Sequence, residues 1–296
     1  MFQFVTNLNS FRETILDSSV TQSFYYIFVK GKYYQMRYQR KQSGNALLYY
    51  LVAIAFFSFG SYQAGATELN GQQIVQGVEN LLWGKTSQGK YAMTIITPHW
   101  QRTLDMQVWM DRPERTFIRI LAPRKEKGVA SLRIKDEMWN YLPKVERTVK
   151  VPPSMMLQAW MGSDFTNDDL VKESNVINDY QHKIIATKNI NGIESYVIEA
   201  IPRKDAAVVW GKLVYTVRKS DLMPLKQEYY SERGELIKVL TFSEVTKMGG
   251  RHLPTRWRMQ TVGKQGHDTV IVIKEVSFDR PIADKVFSLS NLRIRR

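Results

Sequence analysis

The sequence contains no cysteine. Disulfide bonds, a thiol nucleophile and metal sites built on cysteine are therefore excluded. Acylation as a bacterial lipoprotein is excluded as well, because that modification needs a cysteine directly after the signal sequence.

Histidine is also scarce, with four residues in the chain: His99, His182, His252 and His267. No two of them have the spacing of metal ligands. The sequence further lacks a GxSxG nucleophile elbow, a P-loop, an HExxH helix and a dinucleotide-binding glycine pattern. We therefore predict no catalytic residue, no metal site and no cofactor, and we expect that the protein is not an enzyme.

The densest acidic group is Asp164, Asp168 and Asp169. A calcium loop needs glycine at its sixth position and glutamate at its twelfth, and neither is present here. The pattern is typical of a helix start, with Thr166 or Asn167 as the cap and the acids at the positive end of the helix dipole.

Residues 36–66 have the three parts of a bacterial secretory signal peptide. A basic segment begins at Met36, an uncharged apolar run covers residues 46–60, and Ala64 and Ala66 frame the cleavage pattern. We expect cleavage after Ala66 and a periplasmic mature chain, residues 67–296, in a Gram-negative type of envelope. An uncleaved transmembrane anchor is the alternative, since a spanning helix needs about 20 apolar residues. Residues 1–35 show no clear period, and we expect them to be a non-native extension upstream of a start at Met36.

The formal net charge is +14. Residues 1–66 hold six Lys/Arg and two Asp/Glu, which leaves a charge of +10 for the mature part. An excess of positive charge favours anionic partners. Because export makes nucleic acid an improbable partner, we expect an anionic membrane surface or another acidic envelope molecule.

Period-two alternation dominates the mature chain after one amphipathic helix over residues 70–83. About eleven strands follow one another, joined by short connections such as Asn191-Gly192 and Gly249-Gly250. So large a sheet must curl or be covered, and the predicted helices (residues 70–83, 153–161 and 167–172) are too few to form a layer. The fold class is therefore mainly β (α+β): one large curved antiparallel sheet that forms a half-open barrel with a few covering helices. No linker divides residues 67–296, which indicates one domain.

Bulky aromatic side chains on or beside the strands either fill an ordinary core or line a ligand cavity inside the sheet. Alternation alone does not tell which face of the sheet is concave. The candidates for lining such a cavity are Trp109, Phe117, Trp139, Tyr141 and Trp210.

Three segments resemble the outer-membrane lipoprotein-sorting protein family, which is related to the periplasmic carriers LolA and LolB. They are EMWNYLP with the following basic KVERTVK, then MGSDFTNDDL, and finally ADKVFSL near the C-terminus. The resemblance covers residues 67–296. It implies a half-open barrel with a helical lid over an apolar cavity that accepts acyl chains. Residues 155–165 are the candidate lid or lid hinge, with the family motif at Met161, Gly162, Ser163, Asp164 and Phe165.

The resemblance implies a periplasmic carrier that binds acyl chains of lipoproteins, or other lipids, for transport to the outer membrane. Its partners would be an inner-membrane transporter of the RND type and an outer-membrane acceptor. An envelope lipid-modifying hydrolase on the same scaffold and a non-enzymatic adaptor of an inner-membrane transporter are the alternatives. A carrier of this kind needs no cofactor.

Overall fold

The structure is a computed structural model that describes residues 12–17, 20–29, 32–39, 68–172, 176–206 and 208–294. The chain is divided into two compact units, Met1–Thr67 and Glu68–Arg296. The expected signal cleavage at Ala64 and Ala66, and most of the expected signal peptide, lie outside the described residues.

The first unit contains an antiparallel sheet of three strands: β1 (Arg12–Asp17), β2 (Val20–Val29) and β3 (Lys32–Gln39). The sequence showed no strand period in this part of the chain. Strand β2 reads VTQSFYYIFV, and the aromatic and β-branched residues that fill it favour a strand without strict alternation.

The second unit begins with helix α1 (Gly71–Trp83), as the sequence predicts. Asn70 caps it through a capping box: its side chain accepts from the Gln73 amide, and the Gln73 side chain accepts from the Asn70 amide, both at 2.9 Å. Ile74, Val75 and Val78 form its buried face. The helix contacts strands on the second half of the sheet described next, so it covers part of the concave side.

Thirteen strands form one open antiparallel sheet, which confirms the predicted fold class. The chain-order strands of the first half are β4 (Thr86–Ile96), β5 (Gln101–Asp111), β6 (Arg115–Ala122), β7 (Ala130–Ile134), β8 (Glu137–Leu142) and β9 (Arg147–Lys150). Those of the second half are β10 (Tyr180–Ile190), β11 (Ile193–Pro202), β12 (Lys212–Arg218), β13 (Pro224–Tyr230), β14 (Leu236–Met248), β15 (Arg251–Thr261) and β16 (Asp268–Phe278).

Each half is a meander of consecutive neighbours, and β16 pairs with β4 to join the halves. Gly89 lies at this seam, opposite a register shift between Ile273 and Glu275. A Cβ at Gly89 would approach the Glu275 carbonyl oxygen to 2.2 Å, so only glycine permits this close pairing. The outer strands are β9 and β10.

The connection from β9 to β10 therefore runs from one outer strand to the other. Residues 152–166, hereafter the strap, contain two short 3₁₀ turns at Pro153–Met155 and Trp160–Gly162. Helix α2 (Asn167–Lys172) and helix α3 (Val176–Asp179) follow. After β16 the chain ends in a 3₁₀ turn at Asp284–Phe287 and helix α4 (Leu289–Leu292). Among the residues that the structure describes, no helix combines the length and the apolar character of a membrane span.

Both faces of the sheet carry buried apolar side chains. The main cluster joins α1, the strap and the concave face. A second cluster covers the other face of β5 to β8 under the C-terminal segment, with Phe117, Leu132, Tyr141, Phe287 and Leu292 at its centre.

Candidate lipid cavity and its strap

An apolar cavity of about 90 Å³ lies inside the main cluster. Strands β4, β5, β6, β15 and β16 form its wall, α1 contributes Trp83, and the strap contributes Trp160 and Phe165. Ligand pockets for small molecules commonly measure about 300–1,000 Å³. The cavity therefore accommodates only a short apolar group in this conformation, and a longer ligand requires that the strap or α1 move.

Aromatic rings and thioethers dominate the cavity wall. Trp83 and Trp257 meet edge to face with ring centroids 5.0 Å apart. Met93, Met106 and Met110 complete the wall from β4 and β5. Methionine side chains repack at low cost, so this wall suits an apolar ligand of variable shape.

The pair Glu79–Arg112 occupies one end of the cavity region. Arg112 Nη2 lies 2.8 Å from Glu79 Oε2, and both side chains are less than a tenth exposed. Burial raises the pKa of Glu79 to about 7, although the Arg112 charge acts in the opposite direction. Burial also lowers the pKa of Arg133, on the cavity wall, to about 10. Arg133 stays charged at neutral pH because that value is still well above 7.

The residues of the GSDF segment form the centre of the strap. Met161 and Gly162 have positive φ of 53° and 75°, which turns the chain sharply. The Met161 carbonyl accepts a hydrogen bond of 2.5 Å from Arg102 on β5. Ser163 donates to the Trp160 carbonyl at 2.7 Å, and Phe165 is buried.

The strap is tied to both halves of the sheet. Trp160 donates from its indole nitrogen to Ser131 Oγ on β7, at 3.1 Å. The Asp164 carboxylate accepts from Thr261 on β15 and Thr269 on β16, each at 2.7 Å. The polar groups of this segment therefore hold the apolar side chains of Trp160 and Phe165 against the cavity.

Helix α2 begins as the sequence predicts. Thr166 caps it: the Asp169 amide donates to Thr166 Oγ1 at 3.2 Å, and the Thr166 amide donates to the Asp169 carboxylate at 2.7 Å. Asp169 has a second role that the sequence did not indicate. It forms an ion pair with Lys238 of β14, and both side chains are only 3 % exposed.

The structure places four of the five candidate cavity residues together, but on the face opposite the cavity. Phe117 and Tyr141 are in the second cluster, and Trp109 and Trp139 pack against it. None of the four lines the cavity in this conformation. Their neighbours of opposite parity, such as Met110 and Ile118, face the cavity instead. Both faces of β5 to β8 are covered, so bulky apolar residues occur on both.

Trp210 differs from these four. It packs against the main cluster and lies edge to face with Tyr229, with centroids 5.3 Å apart. It also lines an open groove of about 580 Å³ between the strap and the β13–β14 hairpin. Trp210 thus remains a candidate ligand contact.

A family model whose description is "Uncharacterized protein" matches residues 112–294, more than half of the chain. The chain belongs to this family. No curated protein matches the sequence.

Solved structures identify the fold. A DUF1329 family protein from Desulfovibrio piger matches with a TM-score of 0.69 and 23 % identity, over 75 % of this chain and 97 % of that one. A LolA superfamily protein from Nitrosomonas europaea matches with a TM-score of 0.66 and 23 % identity, over 75 % of this chain and 99 % of that one. A putative outer membrane lipoprotein-sorting protein domain from Vibrio parahaemolyticus matches with a TM-score of 0.66 and 22 % identity, over 76 % of this chain and 98 % of that one.

These structures confirm the resemblance inferred from the motifs. The second unit has the fold of the LolA superfamily and of lipoprotein-sorting domains. At these identities the likeness concerns the fold, and the cargo and partners of this chain need arguments from its own residues.

Proposed function

We propose that the protein is a non-enzymatic periplasmic carrier that holds acyl chains of lipoproteins or other lipids on the concave face of its sheet. The observation that carries the proposal is the apolar cavity that the strap helps to line, with Trp83, Met106, Trp160, Phe165 and Trp257 in its wall. The shared fold with a lipoprotein-sorting domain supports it.

The energetics favour such a carrier. Each CH₂ group removed from water contributes about 0.8 kcal/mol. A long acyl chain exposed in the periplasm would therefore cost on the order of 10 kcal/mol. An apolar cavity removes most of this cost, so transfer between a membrane and the cavity is close to neutral and small changes at the strap decide its direction.

The strap is the proposed lid. Its anchors on Arg102, Ser131, Thr261 and Thr269 are individual hydrogen bonds. The neutral bond to Ser131 stabilises the closed state by about 0.5–1.5 kcal/mol, and each of the bonds that involve a charged group does so by about 1.5–3 kcal/mol. An entering acyl chain replaces the buried surface of Trp160 and Phe165 with its own. Opening of the strap thus requires loss of polar anchors, while the apolar contacts are exchanged.

The proposed cellular partners are a lipid surface, an inner-membrane transporter of the RND type and an outer-membrane acceptor. Near the outer strand β9, Lys144, Arg147 and Lys150 lie beside Val145 and Val149, which are 58 % and 44 % exposed. Exposed basic and apolar side chains together suit an anionic membrane surface. This surface would bring the carrier to the membrane from which it loads.

A non-enzymatic adaptor of an inner-membrane transporter is the second candidate, and the small volume of the cavity favours it. A filled interior would need no ligand, and the sheet would serve as a docking surface. The cavity lining in the described part of the chain includes no serine and no histidine, so no observation favours the hydrolase alternative.

A pair of matched variants tests the carrier. Met110 on β5 lines the cavity and Ile134 on β7 packs in the second cluster, and both are half-buried strand residues. We expect Met110→Glu to abolish uptake of a fluorescent fatty acid, because it places a charge in the cavity. Ile134→Glu should destabilise the sheet comparably and keep uptake. Equal uptake by both variants and by the unmodified protein would contradict the cavity model.

A further inference from the structure

Lys238 is a buried cation inside an aromatic pocket. Its side chain is 3 % exposed, and its Nζ lies 4.5 Å from the Trp210 ring centroid and 4.9 Å from that of Tyr229. The Asp169 carboxylate is its anionic partner. Rings and carboxylate together surround a charge that would otherwise be costly to bury.

The ion pair stands between two spaces. Asp169 belongs to the wall of the apolar cavity. Lys238 and Trp210 belong to the wall of the open groove, whose volume of about 580 Å³ lies within the usual range of ligand sites. Because Asp169 and Lys238 are in contact, the pair joins the wall of the cavity to the wall of the groove.

Asp169 is not carried by the sheet. It belongs to α2, directly after the strap, whereas Lys238 is fixed on β14. One oxygen of Asp169 contacts Lys238 and the Thr166 amide, while the other, Oδ1, is buried without a hydrogen bond to any described residue. When the strap moves, Lys238 loses its carboxylate and keeps its aromatic pocket, which leaves a buried cation that needs another anion.

We infer that Lys238 binds the anionic headgroup of the cargo lipid in place of Asp169, with the apolar chain in the cavity beyond. In the closed state Asp169 occupies the headgroup position. The inference rests on the proposed carrier function and assigns it a class of ligand: an amphiphile with one apolar chain and a carboxylate or phosphate head. Binding of the head and release of α2 are then a single exchange of anions.

Calorimetric titration of the protein, purified without detergent, with palmitate and with hexadecanol tests this assignment. The two probes have equal chain length and differ in charge. We expect palmitate to bind at least about tenfold more tightly, as one favourable charge contact provides. Hexadecyl phosphate should behave like palmitate, and inorganic phosphate alone should not bind.

Two variants locate the effect. Asp169→Asn removes the competing carboxylate and should increase the ratio of palmitate affinity to hexadecanol affinity. The double variant Asp169→Asn with Lys238→Met removes both charges, should fold because no charge is left unpaired, and should bind both probes equally. Lys188→Met, an exposed lysine on β10, is the matched control and should keep the preference.

The outcomes separate the two proposals. Equal affinity of the unmodified protein for palmitate and hexadecanol would overturn the role of Lys238 and leave the carrier intact. A preference for palmitate that survives in the double variant would do the same. Failure of both amphiphiles to bind would overturn the carrier and this inference together, and binding of inorganic phosphate alone would show a site for free anions instead.

Discussion

Asp164 and Thr269 exchange two hydrogen bonds across the gap between the strap and strand β16. The Asp164 amide donates to Thr269 Oγ1 at 2.9 Å, and the Thr269 hydroxyl donates to the Asp164 carboxylate at 2.7 Å. Thr269 is fully buried. This reciprocal contact explains why an aspartate occurs in the GSDF segment: its side chain closes the strap onto the sheet.

Removal of this contact should loosen the strap. We expect Thr269→Val to lower the free energy of unfolding by about 1–3 kcal/mol, because the half-buried Asp164 carboxylate loses a donor. Amide hydrogen exchange in residues 157–166 should become faster, and fatty acid uptake should accelerate. Thr94→Val is the control, since the Thr94 hydroxyl bonds Thr103 within the sheet. Unchanged exchange in the strap of Thr269→Val would contradict its role as an anchor.

Stability should fall with rising pH through the titration of Glu79. Burial raises its pKa from 4.5 to about 7, so the folded state holds a proton that the unfolded state has lost between these values. Below this window both states are protonated, and above it both are ionised. A rise in pH through this whole window should lower the free energy of unfolding by about 3 kcal/mol.

Urea unfolding at a series of pH values checks this prediction. Glu79→Gln should remove the decrease in stability between pH 4.5 and 7. Glu275→Gln changes an exposed glutamate in a surface ion pair and should retain it. A decrease of the same size in Glu79→Gln would show that another group is responsible.

The second cluster should support stability without contributing to ligand binding. Phe287 is buried there, and the Arg115 guanidinium lies 4.7 Å from its ring centroid. We expect Phe287→Ala to lower the free energy of unfolding by about 3–5 kcal/mol. Fatty acid affinity should stay unchanged under conditions where the variant is folded. A loss of binding as large as that of Met110→Glu would return Trp109 and Phe117 to the list of ligand contacts.

The basic end of the sheet near β9 should direct the protein to anionic membranes. Lys144→Glu with Arg147→Glu should weaken sedimentation with phosphatidylserine vesicles by at least about thirtyfold, since each basic residue near such a surface contributes roughly 1 kcal/mol. Added salt should also weaken the binding of the unmodified protein to these vesicles. Lys188→Glu with Lys247→Glu is the control of equal charge change, and equal loss in both pairs would indicate an effect of net charge alone.

The sequence predicted the sheet well because its strands alternate and its turns carry glycine and asparagine. Helix α1, its Asn70 cap and the start of α2 were also predicted, since each depends on neighbours within one turn. Strand β9 was missed, because the four residues Arg147–Lys150 are mostly exposed and carry no apolar alternation.

The cavity residues could not be predicted in the same way. Alternation separates the faces of β5 into Met106, Val108 and Met110 against Trp109, but it does not say which face is concave. Size and apolar character pointed to the aromatic side chains, but on β5 to β8 these side chains pack under the C-terminal segment. The Asp169–Lys238 pair joins residues far apart in the chain, and no local pattern marks such a contact.

The most direct test of the carrier is the lipid content of the protein itself. Native mass spectrometry, followed by lipid extraction, should be performed on protein isolated from cells without detergent. The account predicts a bound lipid or acylated peptide in stoichiometric amount, and loss of this mass in Met110→Glu. A protein that carries no lipid and takes up none from vesicles or acylated peptides would contradict the account and favour the adaptor.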